Sequence, residues 1–269
     1  LTSFGELRED YKTKINLQKG PYLNTEYIGF YLDTKSEAIR SKLIREAINL
    51  GFDRKKMITY LRNNIGFIGN RGLIPEGLPG HGANTSIKYD PIKATNLINE
   101  FIKKHGFIPQ ITLATDANYL DICEYLQRAL EKIGLKIKVD VMTPAVLKKA
   151  RSAGKLEMFR ASWIADYPDA ENYLSLFYSK NFSPNGPNYT HYQNEEFDKL
   201  YKKSFEISDP QLIEKNYKKM DSIAMKEYPI VPLYYDQVIR FVQKGISGLT
   251  INPVNLLKLK KVKKELHDN

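Results

Sequence analysis

Cysteine is nearly absent. Cys123 is the single thiol among 269 residues, so the chain contains no internal disulfide. Cys123 sits on an apolar helical face and reads as a small core hydrophobe. Histidine is scarce: His81, His105, His191 and His267 are far apart, with no HxxxH or CxxC spacing, so no metal site and no cofactor are expected. Tryptophan occurs once, at Trp163. No run of about 18 apolar residues occurs, so no helical membrane span is expected. G-x-S-x-G, P-loop and G-x-G-x-x-G patterns are all missing, which removes the common hydrolase, NTPase and dinucleotide signatures. Gly66, Gly69 and Gly72 have the wrong spacing and no strand before them. The residues read as a non-enzymatic domain.

What is present supports a large core. Hydrophobic residues make up 42% of the chain, with 18 Tyr and 12 Phe, enough for one large domain or two smaller ones. The formal net charge is +10, but the 41 basic residues are spread along helix faces and mixed with 31 acidic ones. Only Lys258-Leu259-Lys260-Lys261-Val262-Lys263-Lys264 is a dense basic run. It reads as a solvated charged end, and nucleic acid is not an expected partner. Leu1-Thr2-Ser3-Phe4, with no initiator Met, reads as a chain already cut.

The pattern alternates strands and helices. Residues 1–26 lack strong periodicity, and Tyr27–Leu32 reads as the first strand. A single helix with Ile39, Leu43, Ile44, Ala47 and Ile48 on its apolar face follows, ending at Gly51. Asp53 caps the next. Gly72–Gly80 is a long loop whose Leu73, Ile74 and Leu78 predict order. Asp90-Pro91 opens another helix. Residues 111–164 read strand–helix–strand–helix–strand, which implies a parallel sheet with right-handed crossovers. Near the end come two helices, a strand at Ile230–Tyr235, and a separate short strand at Ile239–Val242. Pro232 puts the first of these at an edge or a bulge.

Phe159-Arg160-Ala161-Ser162-Trp163-Ile164-Ala165-Asp166-Tyr167-Pro168-Asp169 is the candidate site. Phe159, Ala161 and Trp163 share one strand face, with Met158, Arg160 and Ser162 on the other. Asp166 then leaves the strand, and Pro168 stops it. A cation, an indole and a carboxylate thus meet at a strand's C-terminal end, where open α/β sheets collect ligands. Asp166 and Asp169 could also form a carboxylate pair of the kind hydrolases use. The loop Ser183–Tyr189, with Asn188 and Tyr189, suits an adaptable polar surface.

Residues 160–169 resemble the strand-to-loop signature of the family 5 extracytoplasmic solute-binding proteins, the peptide receptors of bacterial ABC importers. Tyr27–Leu32, the helix pair Arg45–Ile58, the loop Gly72–Gly80, Tyr192–Leu200 and Ile230–Tyr235 are similar to further stretches of that family, in order. The resemblance covers about residues 22–242. It implies an α/β fold: a periplasmic-binding-protein type II-like lobe, with a mixed or parallel sheet flanked by helices. It also implies that only the C-terminal half of such a protein is present. Residues 27–235 would form the second, ligand-binding lobe. Residues 1–26 would return from a missing first lobe, and 236–269 would cross back towards it.

The resemblance implies that Asp166 binds a peptide's α-ammonium and that Arg160 helps hold its carboxylate. Trp163 and Tyr167 would add contacts there, with Asn188 and Tyr189 on the neighbouring loop. It further implies a short peptide ligand, an ABC permease in the inner membrane as partner, and a periplasmic or extracytoplasmic location with a lipid anchor as one form of it. Family relatives also take up nickel complexes, haem or sugars, so those ligand classes stay open. An exposed apolar patch around Trp163 and Tyr189 is expected where the missing lobe would close.

Overall fold

The computed structural model describes residues 1–82 and 86–265. The last four residues of the expected 236–269 segment, His267 among them, lie outside the described residues. The strands are β1 (Ile15–Phe30), β2 (Phe67–Ile68), β3 (Gln110–Asp116), β4 (Lys136–Met142), β5 (Met158–Ile164), β6 (Ile230–Gln243) and a two-residue ribbon, β7 (Ile246–Ser247) with β8 (Lys263–Lys264). The helices are α1 (Glu9–Lys12), α2 (Glu37–Arg40), α3 (Lys42–Leu50), α4 (Arg54–Leu61), α5 (Pro91–His105), α6 (Leu120–Glu131), α7 (Pro144–Ser152), α8 (Glu171–Leu174), α9 (Glu195–Ser204) and α10 (Pro210–Glu227). Capping chemistry marks the starts as expected: Asp53, Asp90 and Asp209 each accept backbone N–H groups from the first turn they precede.

Six strands form one mixed sheet in the order β2-β6-β1-β5-β3-β4. The expected parallel unit is there: β3 pairs in parallel with both β4 and β5. β1 runs antiparallel to β5 on one side and to β6 on the other. Helices cover both faces. Phe159 and Ala161 on one face of β5, and Met158 and Arg160 on the other, are all buried.

Several boundaries differ from the sequence reading. The first strand starts at Ile15 and stops at Phe30, so half of the segment without periodicity is strand. Its outer half, Ile15–Pro21, is held by pairing with Gln237–Gln243. Those residues are mostly half-exposed, so no alternation of apolar side chains marks them. The two strands expected at 230–235 and 239–242 are one strand, β6, which keeps β1 as its partner on both sides of Asp236 across a register shift between Pro21 and Thr25. β1 and β6 therefore run unbroken across both boundaries expected between lobe and flanking segments. Pro232 lies opposite Tyr27 where the register shifts next to Glu26, so it sits at a bulge. The helix expected through Ile39–Ile48 is two, broken at Ser41, whose ψ of 119° is extended.

Two buried arginines tie the helix pair Arg45–Ile58 to β6 and α10. Arg45 donates to the carbonyls of Ile39 and Arg40 at 2.7 and 2.8 Å. It also donates to Glu227 at 2.8 Å and Tyr228 at 3.1 Å, the last carbonyls of α10. Arg54 donates to Pro232 at 2.7 Å and Asn49 at 2.9 Å, with its guanidinium 4.3 Å above the Phe52 ring. Cys123 is buried in the core.

The Gly72–Gly80 loop is fixed to the sheet and to α10, with Leu73, Ile74 and Leu78 buried. Asp221 of α10 accepts the Leu73 N–H at 3.0 Å, and Thr25 Oγ1 donates to the Leu73 carbonyl at 2.8 Å. Gly72 has φ +103°, and a Cβ there would lie 1.9 Å from Asp221 Oδ2. Only glycine lets the backbone approach this carboxylate.

Candidate ligand site at the carboxyl edge of the sheet

β3, β4 and β5 end on one edge of the sheet, at Asp116, Met142 and Ile164. β1 enters the sheet there, since Asn24 pairs with Ile164. The β1–β6 ribbon therefore projects past this edge. Asp166 sits where β5 gives way to coil beside the ribbon. The Ala165 N–H donates to the Leu23 carbonyl at 3.0 Å, one step beyond the ladder. The Asp166 N–H donates to Asn172 Oδ1 at 3.3 Å. The backbone is thus held on both sides. The Asp166 side chain is exposed and makes no ion pair among the described residues.

Trp163 is half-buried, and its indole N–H donates to the same Asn172 Oδ1, at 2.8 Å. Tyr167 is 46% exposed, and its hydroxyl donates to Glu171 Oε2. Asp166, Trp163 and Tyr167 are therefore together on the edge, linked through α8.

Arg160 is only 7% exposed and faces inward. Its guanidinium pairs with Glu26 Oε2, lies 3.9 Å from Asp116, and stacks over the Tyr119 ring. Asn24 Nδ2 donates to Glu26 Oε1 at 3.0 Å and reaches Asp236 at 3.4 Å. Burial pushes the Glu26 carboxyl up from its ordinary value, against the pull of Arg160. The cation expected to meet a ligand carboxylate is thus neutralised inside the lobe. Among the described residues, Asn24 Oδ1 and Arg160 Nε are buried without a hydrogen-bond partner.

Asn188 and Tyr189 are not part of this group. Asn188 is fully buried; its amide donates to the carbonyls of Tyr178 and Tyr192 at 3.1 and 2.9 Å, and its Oδ1 accepts from Thr190. Its role is to fold the loop. Tyr189 is half-buried, with the Arg151 guanidinium 4.4 Å from its ring and 5.9 Å from that of Phe159. Phe159 opens β5, whereas Asp166 follows its end, so roughly 15 Å of strand separates the two. The expected patch joining Trp163 to Tyr189 does not form. The exposed apolar surface beside Trp163 comes from Ile164, at 51%, and Tyr167. Phe241 on the ribbon and Leu256, Leu257 and Leu259 beyond it are among the other exposed apolar residues.

Asp169 does not pair with Asp166. Its Oδ1 accepts from the Tyr217 hydroxyl and the Glu171 N–H, both at 2.8 Å, which fixes the start of α8.

Asn172, Glu26 and Asn24 were not visible as site residues in the sequence. Asn172 lies six residues past Asp166 and looks like an ordinary first-turn residue of a short helix. Glu26 fell in the stretch without periodicity.

Residues 2–185 match the model of the bacterial extracellular solute-binding proteins, family 5, and the chain belongs to that family. It is 25% identical over 252 residues to the glutathione-binding protein GsiB of Escherichia coli K12, covering 89% of this chain and 48% of the relative. HbpA2 from Haemophilus parasuis superposes with a TM-score of 0.85 at 21% identity, over 96% of this chain and 51% of that one. The periplasmic binding protein DppA from Helicobacter pylori, solved with the peptide STSA, gives a TM-score of 0.79 at 24% identity, over 96% and 50%. AppA from Bacillus subtilis, solved with a nonapeptide, gives 0.75 at 21% identity, over 96% and 54%. These structures establish the expected α/β, type II periplasmic-binding-protein architecture. The chain spans about half the length of the relatives it matches. Those relatives are solute-binding proteins, not enzymes. Among the described residues, no helix is long and apolar enough to cross a membrane.

Proposed function

We propose that this chain forms one wall of the ligand cleft of an extracytoplasmic solute-binding protein, and that Asp166 receives the α-ammonium of a short peptide. The observation that carries this reading is an exposed carboxylate, free of internal ion pairs among the described residues, whose backbone is fixed at the sheet's carboxyl edge. A charge-assisted hydrogen bond in a closed cleft is among the strong ones. The peptides and the glutathione of the relatives' names have in common a free α-amino group. A second lobe would close over the exposed Ile164, Tyr167 and Phe241. The loaded receptor would deliver its peptide to an ABC permease in the inner membrane, acting in the periplasm or from a lipid anchor.

Arg160, with its charge neutralised by Glu26, shapes the floor of the site. Asp166→Asn removes the charge and keeps the shape. In the protein carrying both walls, calorimetry with a pool of short peptides is expected to show affinity falling by about 10- to 100-fold, the worth of one hydrogen bond to a charged group. Unchanged affinity would remove Asp166 from the site.

A further inference from the structure

We infer that Asn172 is a positioning residue: its side-chain oxygen sets where the Asp166 carboxylate and the Trp163 indole stand relative to each other. The inference rests on the reading of Asp166 as the ammonium site. Asn172 is 5% exposed, on the first turn of α8. Its Oδ1 accepts two hydrogen bonds, from Trp163 Nε1 at 2.8 Å and from the Asp166 N–H at 3.3 Å. One oxygen thus clamps the last inward-facing residue of β5 to the second residue of the loop that follows. Nothing else among the described contacts ties the Trp163 indole to the Asp166 backbone.

The clamp is itself held. The Asn172 N–H donates to the Asp169 carbonyl at 3.3 Å, and Ser175 Oγ donates to the Asn172 carbonyl at 2.8 Å. Asp169, in turn, is fixed by the Tyr217 hydroxyl from α10 at 2.8 Å. The position of the exposed carboxylate is therefore referred, through Asn172, to a long helix of the core. Rotating the Asn172 side chain away would leave a half-buried indole N–H and a loop N–H without their protein acceptor. The loop would then move to find water for them. A ligand group held by a carboxylate on such a loop would have to re-immobilise it on every binding event.

Trp163 makes the arrangement directly readable, because it is the only tryptophan of the chain. In the 269-residue chain, Asn172→Ala should shift Trp163 emission to the red and raise its quenching by acrylamide. Asn172→Asp, which keeps an acceptor oxygen, should leave both near the parent values. In the two-walled protein, Asn172→Ala should weaken binding of the pooled peptides about three- to tenfold, with Asn172→Asp restoring it. If Asn172→Ala does not fold, Asn172→Ser, whose shorter hydroxyl serves at most one donor, takes its place with the same expected signs. Unchanged emission in the alanine variant, or an aspartate variant that behaves like alanine, overturns the assignment. So does altered emission with unaltered affinity. Failure of the Asp166 reading appears separately, as peptide affinity unchanged in Asp166→Asn while the fluorescence results stand.

Discussion

Replacing Arg45 by methionine is expected to lower the stability of the fold by about 3–5 kcal/mol. The guanidinium satisfies four backbone carbonyls at once, those of Ile39, Arg40, Glu227 and Tyr228. Two belong to the end of α10, where the helix dipole also favours a cation. Burial is the larger influence on the group and pulls its pKa down to about 10, so it remains charged at neutral pH. Methionine fills the volume but leaves those acceptors buried and unpaired, at roughly 1–3 kcal/mol for each one that water does not reach. Lysine should rescue only part of the loss, since one ammonium cannot fork between α2 and α10. Urea denaturation of the parent and both variants measures this. A methionine variant within 1 kcal/mol of the parent would show that the carbonyls find other partners.

Asp221 should make stability fall as pH rises. The carboxyl is buried beneath the Gly72 loop, and burial pushes its pKa from 3.8 up to about 7, against the Leu73 and Ile74 N–H groups. The folded state therefore holds a proton that the unfolded state has already lost. Its contribution is complete below about pH 4 and is lost as pH climbs through 7. The shift of about three units corresponds to roughly 4 kcal/mol over that window. Asp221→Asn cannot titrate. The stability of the parent relative to this variant should therefore decline by that order between pH 4 and pH 8, read from denaturation midpoints at each pH. A constant difference would mean that Asp221 titrates alike in both states.

The parallel half of the fold was legible because its strands carry their own signal. β3, α6, β4, α7 and β5 alternate within one continuous segment, with apolar periods that need no distant partner to be recognised. β1 and β6 were only half legible. Their inner halves are buried and rich in aromatic and β-branched residues. Their outer halves are strand only because they pair with each other across more than 200 residues of chain. A half-exposed two-stranded ribbon imposes no apolar alternation, so local reading could not find it.

The site shows the same division. Asp166, Trp163 and Tyr167 lie together because β5 ends at Ile164 and the chain turns at the sheet edge directly after it. Arg160 lies on the expected strand, but nothing local shows that Glu26, from another strand, neutralises it. Asn188 has the residue type of a binding loop, yet its amide is consumed inside that loop. Asn172 was missed because a clamp made by one amide oxygen has no sequence signature.

The most direct test is a calorimetric comparison of two peptide pools on the protein carrying both lobes, one with free amino termini and one N-acetylated. Acetylation removes the charge and leaves the rest of each peptide unchanged. The free pool should bind and the acetylated pool should be weaker by tenfold or more. Equal affinity for the two pools would contradict the assignment of Asp166 as the receiver of the ammonium group.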